Sequence, residues 1–125
     1  MIRKKFYSWL DDNLKKIPSN VIAINFNLYE GEYNTYDIEL IGSDIFTEED
    51  DDWACEEIFL TEGSLFSIPI CNDISDWKDG MLYIKKMIED YMKIGEYSNN
   101  LRQLQAVGIG FVDGDIELIY LNKNR

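Results

Sequence analysis

Seven of the ten residues from Glu48 to Glu57 are carboxylates (Glu48, Glu49, Asp50, Asp51, Asp52, Glu56 and Glu57), and none is a cation. Acids in such density can hold a divalent cation, work in pairs as acid and base, or receive the cationic side chains of a partner. Ligand order tests the first use. A calcium loop opening at Asp50, with Asp52 and Glu62 as further ligands, needs an oxygen donor at its fifth position and glycine at its sixth. Ala54 and Cys55 stand there, so no metal is expected. Paired carboxylates alone can run hydrolysis. However, 24 acids in 125 residues bring some pair together in any fold, and a chain of this size has little room for a deep sugar cleft.

The other reactive groups are sparse. The chain has no histidine, which removes imidazole-based triads and the usual base of a cysteine nucleophile. Cys55 lies among carboxylates rather than cations, the opposite of a reactive-cysteine environment. With two cysteines and no histidine a zinc site is not expected either. Cys55 and Cys71 are expected to be reduced and packed as small hydrophobes. Gly108 and Gly110 do not make a nucleotide fingerprint, because a turn and a strand follow them instead of a helix. The expectation is a protein with no catalytic residues and no cofactor.

Charge is left as the informative property. The net charge is −12, but residues 17–77 hold 15 acids and no Lys or Arg, so the remainder is slightly basic. A 61-residue stretch without a cation opposes direct binding to nucleic acid, which needs cations against phosphates. It opposes an anionic membrane surface for the same reason. It favours a partner with a basic surface, reached through long-range steering. Tyrosine beside a charged rim is a composition found in interfaces. Tyr33 and Tyr36 in "YEGEYNTYD" are therefore candidate contacts beside the seven carboxylates.

These residues must be carried by a single domain, given the length, and 17 aromatics argue for a packed core. The basic start lacks the long apolar core of a signal peptide, and no apolar run approaches a membrane span, so a cytoplasmic protein is expected. Ile2, Phe6, Trp9, Leu10, Leu14 and Ile17 follow helical spacing over 2–16, stopped by Pro18. Ile22, Ile24, Phe26 and Leu28 alternate with Ala23, Asn25 and Asn27, and Tyr36, Ile38 and Leu40 with Asp37 and Glu39. Two strands joined through Gly31 follow. Trp77, Met81, Ile84, Ile88, Tyr91 and Met92 form one helical face over 75–94, capped by Asp73 or Ser75 and ended by Gly95. Trp9, Trp77, Phe6, Tyr91 and Phe111 are read as core. A short helix is expected over 98–105, capped by Ser98. Asp113-Gly114 predicts a type I′ hairpin turn between two closing strands, with Gly108 and Gly110 leaving room for a helix. "DDDWACEEIF" reads as a helix start that turns Trp53, Ala54, Ile58 and Phe59 inward, and "SLFSIPI" as extended. The fold class is α+β. The expected architecture is an antiparallel sheet of two hairpins, about 21–41 and 106–121, packed against two to three helices.

Two segments, "DDWACEEIF" at 51–59 and "GFVDGDIELIY" at 110–120, together with the amphipathic helix between them, carry a resemblance over the last two-thirds of the chain. In this pattern the chain resembles the small acidic immunity proteins of bacterial polymorphic and contact-dependent growth-inhibition toxin systems. The resemblance implies a non-enzymatic protein that binds one cognate toxin in the cytoplasm and blocks it, with no catalytic residues to carry over. The charge pattern points the same way, since nuclease toxins have basic sites that hold phosphates. Two alternatives stand beside it. One is a nucleic-acid mimic that inhibits a DNA or RNA enzyme, with acids spread over an elongated face. The other is a small carboxylate- or metal-dependent hydrolase. The oligomeric state is open.

Overall fold

The computed structural model describes residues 2–122 except Tyr33, 62–64, Asn72, Asp73 and Ser75. In chain order the elements are α1 (Ile2–Leu14), β1 (Ala23–Glu30), β2 (Thr35–Ser43), a 3₁₀ turn (Asp52–Cys55), β3 (Glu57–Leu60), β4 (Phe66–Pro69), α2 (Trp77–Ile94), α3 (Ser98–Arg102), β5 (Ala106–Phe111) and β6 (Glu117–Leu121). The strands form one sheet in the order β3-β2-β1-β5-β6, with β4 on the same edge of β2 as β3. The α+β class and the single sheet with its helices are as the periodicity predicts.

The joining of the two hairpins is not as predicted. β1 and β2 are antiparallel, with Phe26 opposite Leu40, and β5 and β6 are antiparallel. Between the hairpins β1 and β5 run parallel, from Ala23 opposite Ala106 to Leu28 opposite Phe111. The sheet is therefore mixed. Parallel neighbours need a crossover connection, and α2 supplies it by carrying the chain back along the sheet before β5 begins.

α1 and α2 lie on one face. Period-two alternation turns Ile24, Phe26 and Leu28 of β1, Ile38 and Leu40 of β2, and Val107 and Ile109 of β5 toward them. Phe6, Leu10 and Leu14 of α1 and Ile84, Met87, Ile88 and Tyr91 of α2 complete this core. Tyr7 and Tyr91 meet edge-on between the two helices, with centroids 5.1 Å apart. α1 ends at Leu14, two residues before the expected boundary. Its last turn tightens there, with Lys16 N bonding to Asn13 O and Ile17 N to Leu14 O.

Asp76, rather than Asp73 or Ser75 (which lie outside the described residues), caps α2 by accepting from Asp79 N at 2.9 Å. Gly95 ends α2, but its φ is −66°. It is required for space: a Cβ there would lie 2.4 Å from the Tyr91 ring. α3 is shorter than expected, and Tyr97 takes the position before it.

Three further readings need correction. First, Asp113-Gly114 does not form a two-residue turn. A bond from Gly114 N to Phe111 O closes a turn over 111–114 at the start of a five-residue loop, 112–116, and Asp113 has no positive φ. Second, Gly108 and Gly110 do not face a helix. They pair with Asn25 and Asn27, on the opposite face. The returning chain lies over them there: a Cβ on Gly110 would sit 2.6 Å from Asp115 O, and one on Gly108 would sit 2.7 Å from an Ile116 methyl. Third, Cys55 and Cys71 are unpaired but exposed, not packed inside.

Candidate functional site

The second face of the sheet differs in kind. It displays Ala23, Asn25, Asn27 and Tyr29 from β1, Glu39 from β2, and Gly108 and Gly110 from β5, as register and alternation require. Over its small residues runs the segment 44–56, which crosses the sheet as a strap. Trp53 pins it. The indole is 2% exposed and packs on Ala23 and Ala106, with Phe46, Ala54, Ile116, Leu118 and Leu121 around it. Two alanines opposite each other in the parallel register leave the room a tryptophan needs. Phe46 meets Trp53 edge-on, with centroids 5.2 Å apart.

Short hydrogen-bonded turns shape the strap. Ser43 Oγ accepts from Ile45 N, Thr47 Oγ1 from Glu49 N and Asp50 Oδ1 from Asp52 N, at 3.0–3.2 Å. The expected helix start is one 3₁₀ turn, because only five residues separate Asp51 from the strand-forming Glu57–Leu60. Asp51 adds a tertiary tie: its Oδ2 accepts from Ile116 N at 2.9 Å, across 65 positions of sequence.

The strap brings Glu48, Glu49, Asp50, Asp51, Asp52 and Glu56 together as exposed residues, and Glu57 follows as the first residue of β3. The ion pairs found among the described residues, Arg3–Asp90, Lys15–Asp12 and Lys85–Glu117, all lie elsewhere. Trp53 turns inward as predicted. Ala54 and Phe59 are half-buried, but Ile58 is exposed at 41%, since the bulge opposite Gly42 and Ser43 turns it out.

Tyr36 is not part of this surface. It is 4% exposed on the helix-covered face, edge-on to Phe111 and against Gly80, where a Cβ would lie 2.7 Å from its ring. Alternation places it in line with Ile38 and Leu40, and that outweighs its nearness to the turn. Tyr33 lies outside the described residues.

Beside the strap, a polar ladder runs along this face from the half-buried Tyr29 and Glu39 to the buried Asn25. Tyr29 OH donates to Glu39 Oε1 at 2.7 Å, Asn27 Nδ2 donates to the same oxygen at 3.4 Å, and Asn25 Nδ2 donates to Asn27 Oδ1 at 2.5 Å. Burial, the bond to Glu39 and that carboxylate's charge push the Tyr29 phenol up to about 12, so it stays neutral near pH 7. At the edge, Asp37 Oδ1 accepts from Thr35 Oγ1 and Ser67 Oγ. The face thus combines hydrogen-bond acceptors with carboxylates of the strap that make no ion pair with any described residue. That is the complement of lysine and arginine side chains.

Sequence reasoning missed this ladder, although the alternation of Asn25 and Asn27 against Ile24 and Phe26 signals it. It also took Trp77 as core, whereas Trp77 is 49% exposed. Among the described residues no group of three or more His, Cys, Asp or Glu side chains is placed to hold a metal ion, and no helix is long and apolar enough to cross a membrane. Comparison with protein-family models, curated proteins and solved structures returned no match.

Proposed function

We propose that this chain is a non-catalytic immunity-type protein that binds and neutralises a basic toxin domain, a nuclease in the simplest case, in the cytoplasm of the cell it protects. The observation that carries the reading is the strap. Its carboxylates are exposed and form no ion pair with any described residue, while a buried tryptophan and a long-range hydrogen bond hold their backbone. A solvated acidic loop needs no such anchoring, whereas a docking surface gains from it, because less ordering remains to be done on binding. A nuclease site is basic in order to hold phosphates, and a fixed carboxylate surface complements it. Complementary fields raise association from about 10⁵–10⁶ to about 10⁸–10⁹ M⁻¹s⁻¹ at low salt.

The reading expects a toxin-like domain to be encoded in a gene neighbouring this one, and the test is to sequence the flanking genes and measure stopped-flow association with that domain as a function of ionic strength. Changing Glu48, Glu49, Asp50, Asp52 and Glu56 to their amides should slow association at low salt by about tenfold or more and flatten its salt dependence. A salt-insensitive rate that is equal in the variant overturns the role of the strap. Failure of the chain to protect cells from that domain overturns the immunity reading.

A further inference from the structure

The strap supplies charge, and charge alone favours encounter more than residence. An anchor point for the partner is a separate requirement, and the other side of Ile116 has one. The first turns of α2 and the β5–β6 loop leave a groove between them. Trp77 forms one wall. It is edge-on to Phe111, the last residue of β5, with centroids 6.0 Å apart, and Lys78 Nζ lies 5.6 Å from its ring centroid. Met81 lines the groove beside it, and Leu82, 66% exposed, extends the apolar surface. The opposite wall is Asp115, Ile116 and Glu117. Two adjoining hollows of about 310 and 390 Å³ result. They lie at the small end of ligand-binding clefts, a size suited to an anchor side chain.

Exposed tryptophan and leucine side by side mark an interaction surface more often than they mark anything else. Two observations identify what this one takes. The first is continuity. Ile116 lines the groove, its N–H is held by Asp51 of the strap, and its side chain packs with the cluster around Trp53. Groove and strap thus share a wall, and a partner on one reaches the other. The second is charge. Both cations of the groove are engaged, Lys85 with Glu117 and Lys78 on the Trp77 ring. Asp113 and Asp115 are exposed and make no ion pair with any described residue. Lys85 and Glu117 cancel, Lys78 keeps its charge over the ring, and the two aspartates outnumber it, so the rim carries a small net negative charge.

We infer that the groove between α2 and the β5–β6 loop receives an apolar anchor side chain, aromatic or branched, flanked by lysine or arginine, from the same basic partner that the strap attracts. This inference rests on the proposed function above. The anchor slows dissociation, while the strap speeds association.

Short peptides of defined composition test it on the full chain. Lys-Lys-Trp-Lys-Lys and Lys-Lys-Ala-Lys-Lys are titrated into the ¹⁵N-labelled protein, with Glu-Glu-Trp-Glu-Glu as the opposite-charge control. Both lysine peptides should shift the amides of 48–56. The tryptophan peptide alone should also shift the Trp77 indole and the amides of Met81 and Asp115, and should bind about tenfold more tightly than the alanine peptide. Leu82→Lys, a change at an exposed helix position, should remove most of that advantage without disturbing the fold. If both lysine peptides move the strap equally and neither moves the groove, the anchor inference falls and the acidic-surface reading stands. If neither moves the strap, that reading falls and the inference with it. Equal binding of the acidic control overturns the charge argument for the occupant.

Discussion

The two faces of the sheet are built on different principles. The face toward α1 and α2 is held by about twenty apolar side chains from seven elements, so the loss of any one is spread over many neighbours. The opposite face is held at one end by Trp53 against two alanines, with a single carboxylate tie from Asp51 beside it, and elsewhere it shows polar ladders to the surroundings. Substitutions on the first face lower the stability of the whole fold. On the second, most positions carry charge and hydrogen-bonding groups that the fold does not need. The second face is therefore where a partner's requirements can be written without disturbing the core.

The largest effects should separate the faces by reach as well as by size. Phe26→Ala empties a fully buried site in the helix-covered core and should cost about 4 kcal/mol of global stability. Trp53→Ala should cost about 3 kcal/mol, with much of the loss local. Hydrogen exchange distinguishes the two. In the Trp53 variant the amides of Ala54 and Glu56, bonded within the strap, and of Ile116, bonded to Asp51, should lose protection. The Val112 amide, bonded to Leu28 O, should keep it. Uniform loss of protection in both variants would show that the strap is inseparable from the core, and the contrast between the faces would break.

The same contrast explains what could be read from the amino-acid order. α1, α2, β1 and β2 were legible because each presents a periodic stripe to the large core, and periodicity records burial on a broad surface, whereas β5 was legible as a short apolar run before Asp113-Gly114. β3 and β4 were not. They have four residues each, and both pair along one edge of β2, so register decides their place more than pattern does. The parallel pairing of β1 with β5 was hidden because hairpin signals are local, whereas this pairing depends on where α2 returns the chain.

Asp113-Gly114 promised a tight turn, but Asp115 and Ile116 must first cross Gly108 and Gly110, and the wider loop allows that. The seven acids of the candidate site were visible as composition, and Trp53 beneath them as an inward residue. Their position over the open face was not visible, because the Ala23–Ala106 seat exists only once the hairpins join. Tyr36 was misplaced by its neighbourhood in the turn when its alternation with Ile38 pointed inward.

A smaller effect tests whether one acid of the strap differs from the rest. Asp51 is exposed like its neighbours, yet among the described residues of the strap its side chain is the one that bonds to a distant segment, the β5–β6 loop, through Ile116 N. Asp51→Ala should cost about 1 kcal/mol in urea unfolding, because it leaves that amide without its acceptor. Glu48→Ala should stay within about 0.5 kcal/mol of the parent or raise stability slightly, since it relieves like-charge repulsion. Equal costs would remove the distinction between the structural tie and the free carboxylates, and would leave Trp53 as the single pin.

The smallest effect compares two phenols, one on each face. Tyr29 on the open face is pushed up to about 12 by burial and then by Glu39. Tyr91, in the helix-covered core, is raised by burial first and then by its bond to Asp11, while Tyr97 N donates to it. An unfolded tyrosine ionises near pH 10. Below that pH both contributions to stability are fully present. Above it the unfolded chain binds fewer protons than the folded one, so stability falls as pH rises, until the folded phenols ionise too. Urea midpoints measured from about pH 9 to about pH 12 should therefore decline, and less steeply in Tyr29→Phe and in Tyr91→Phe. The Tyr91 variant should show the greater flattening, because its phenol is fully buried. A decline left unchanged by Tyr29→Phe would show that the ladder on the open face is open to water, and that Glu39 is already free to meet a cation from a partner.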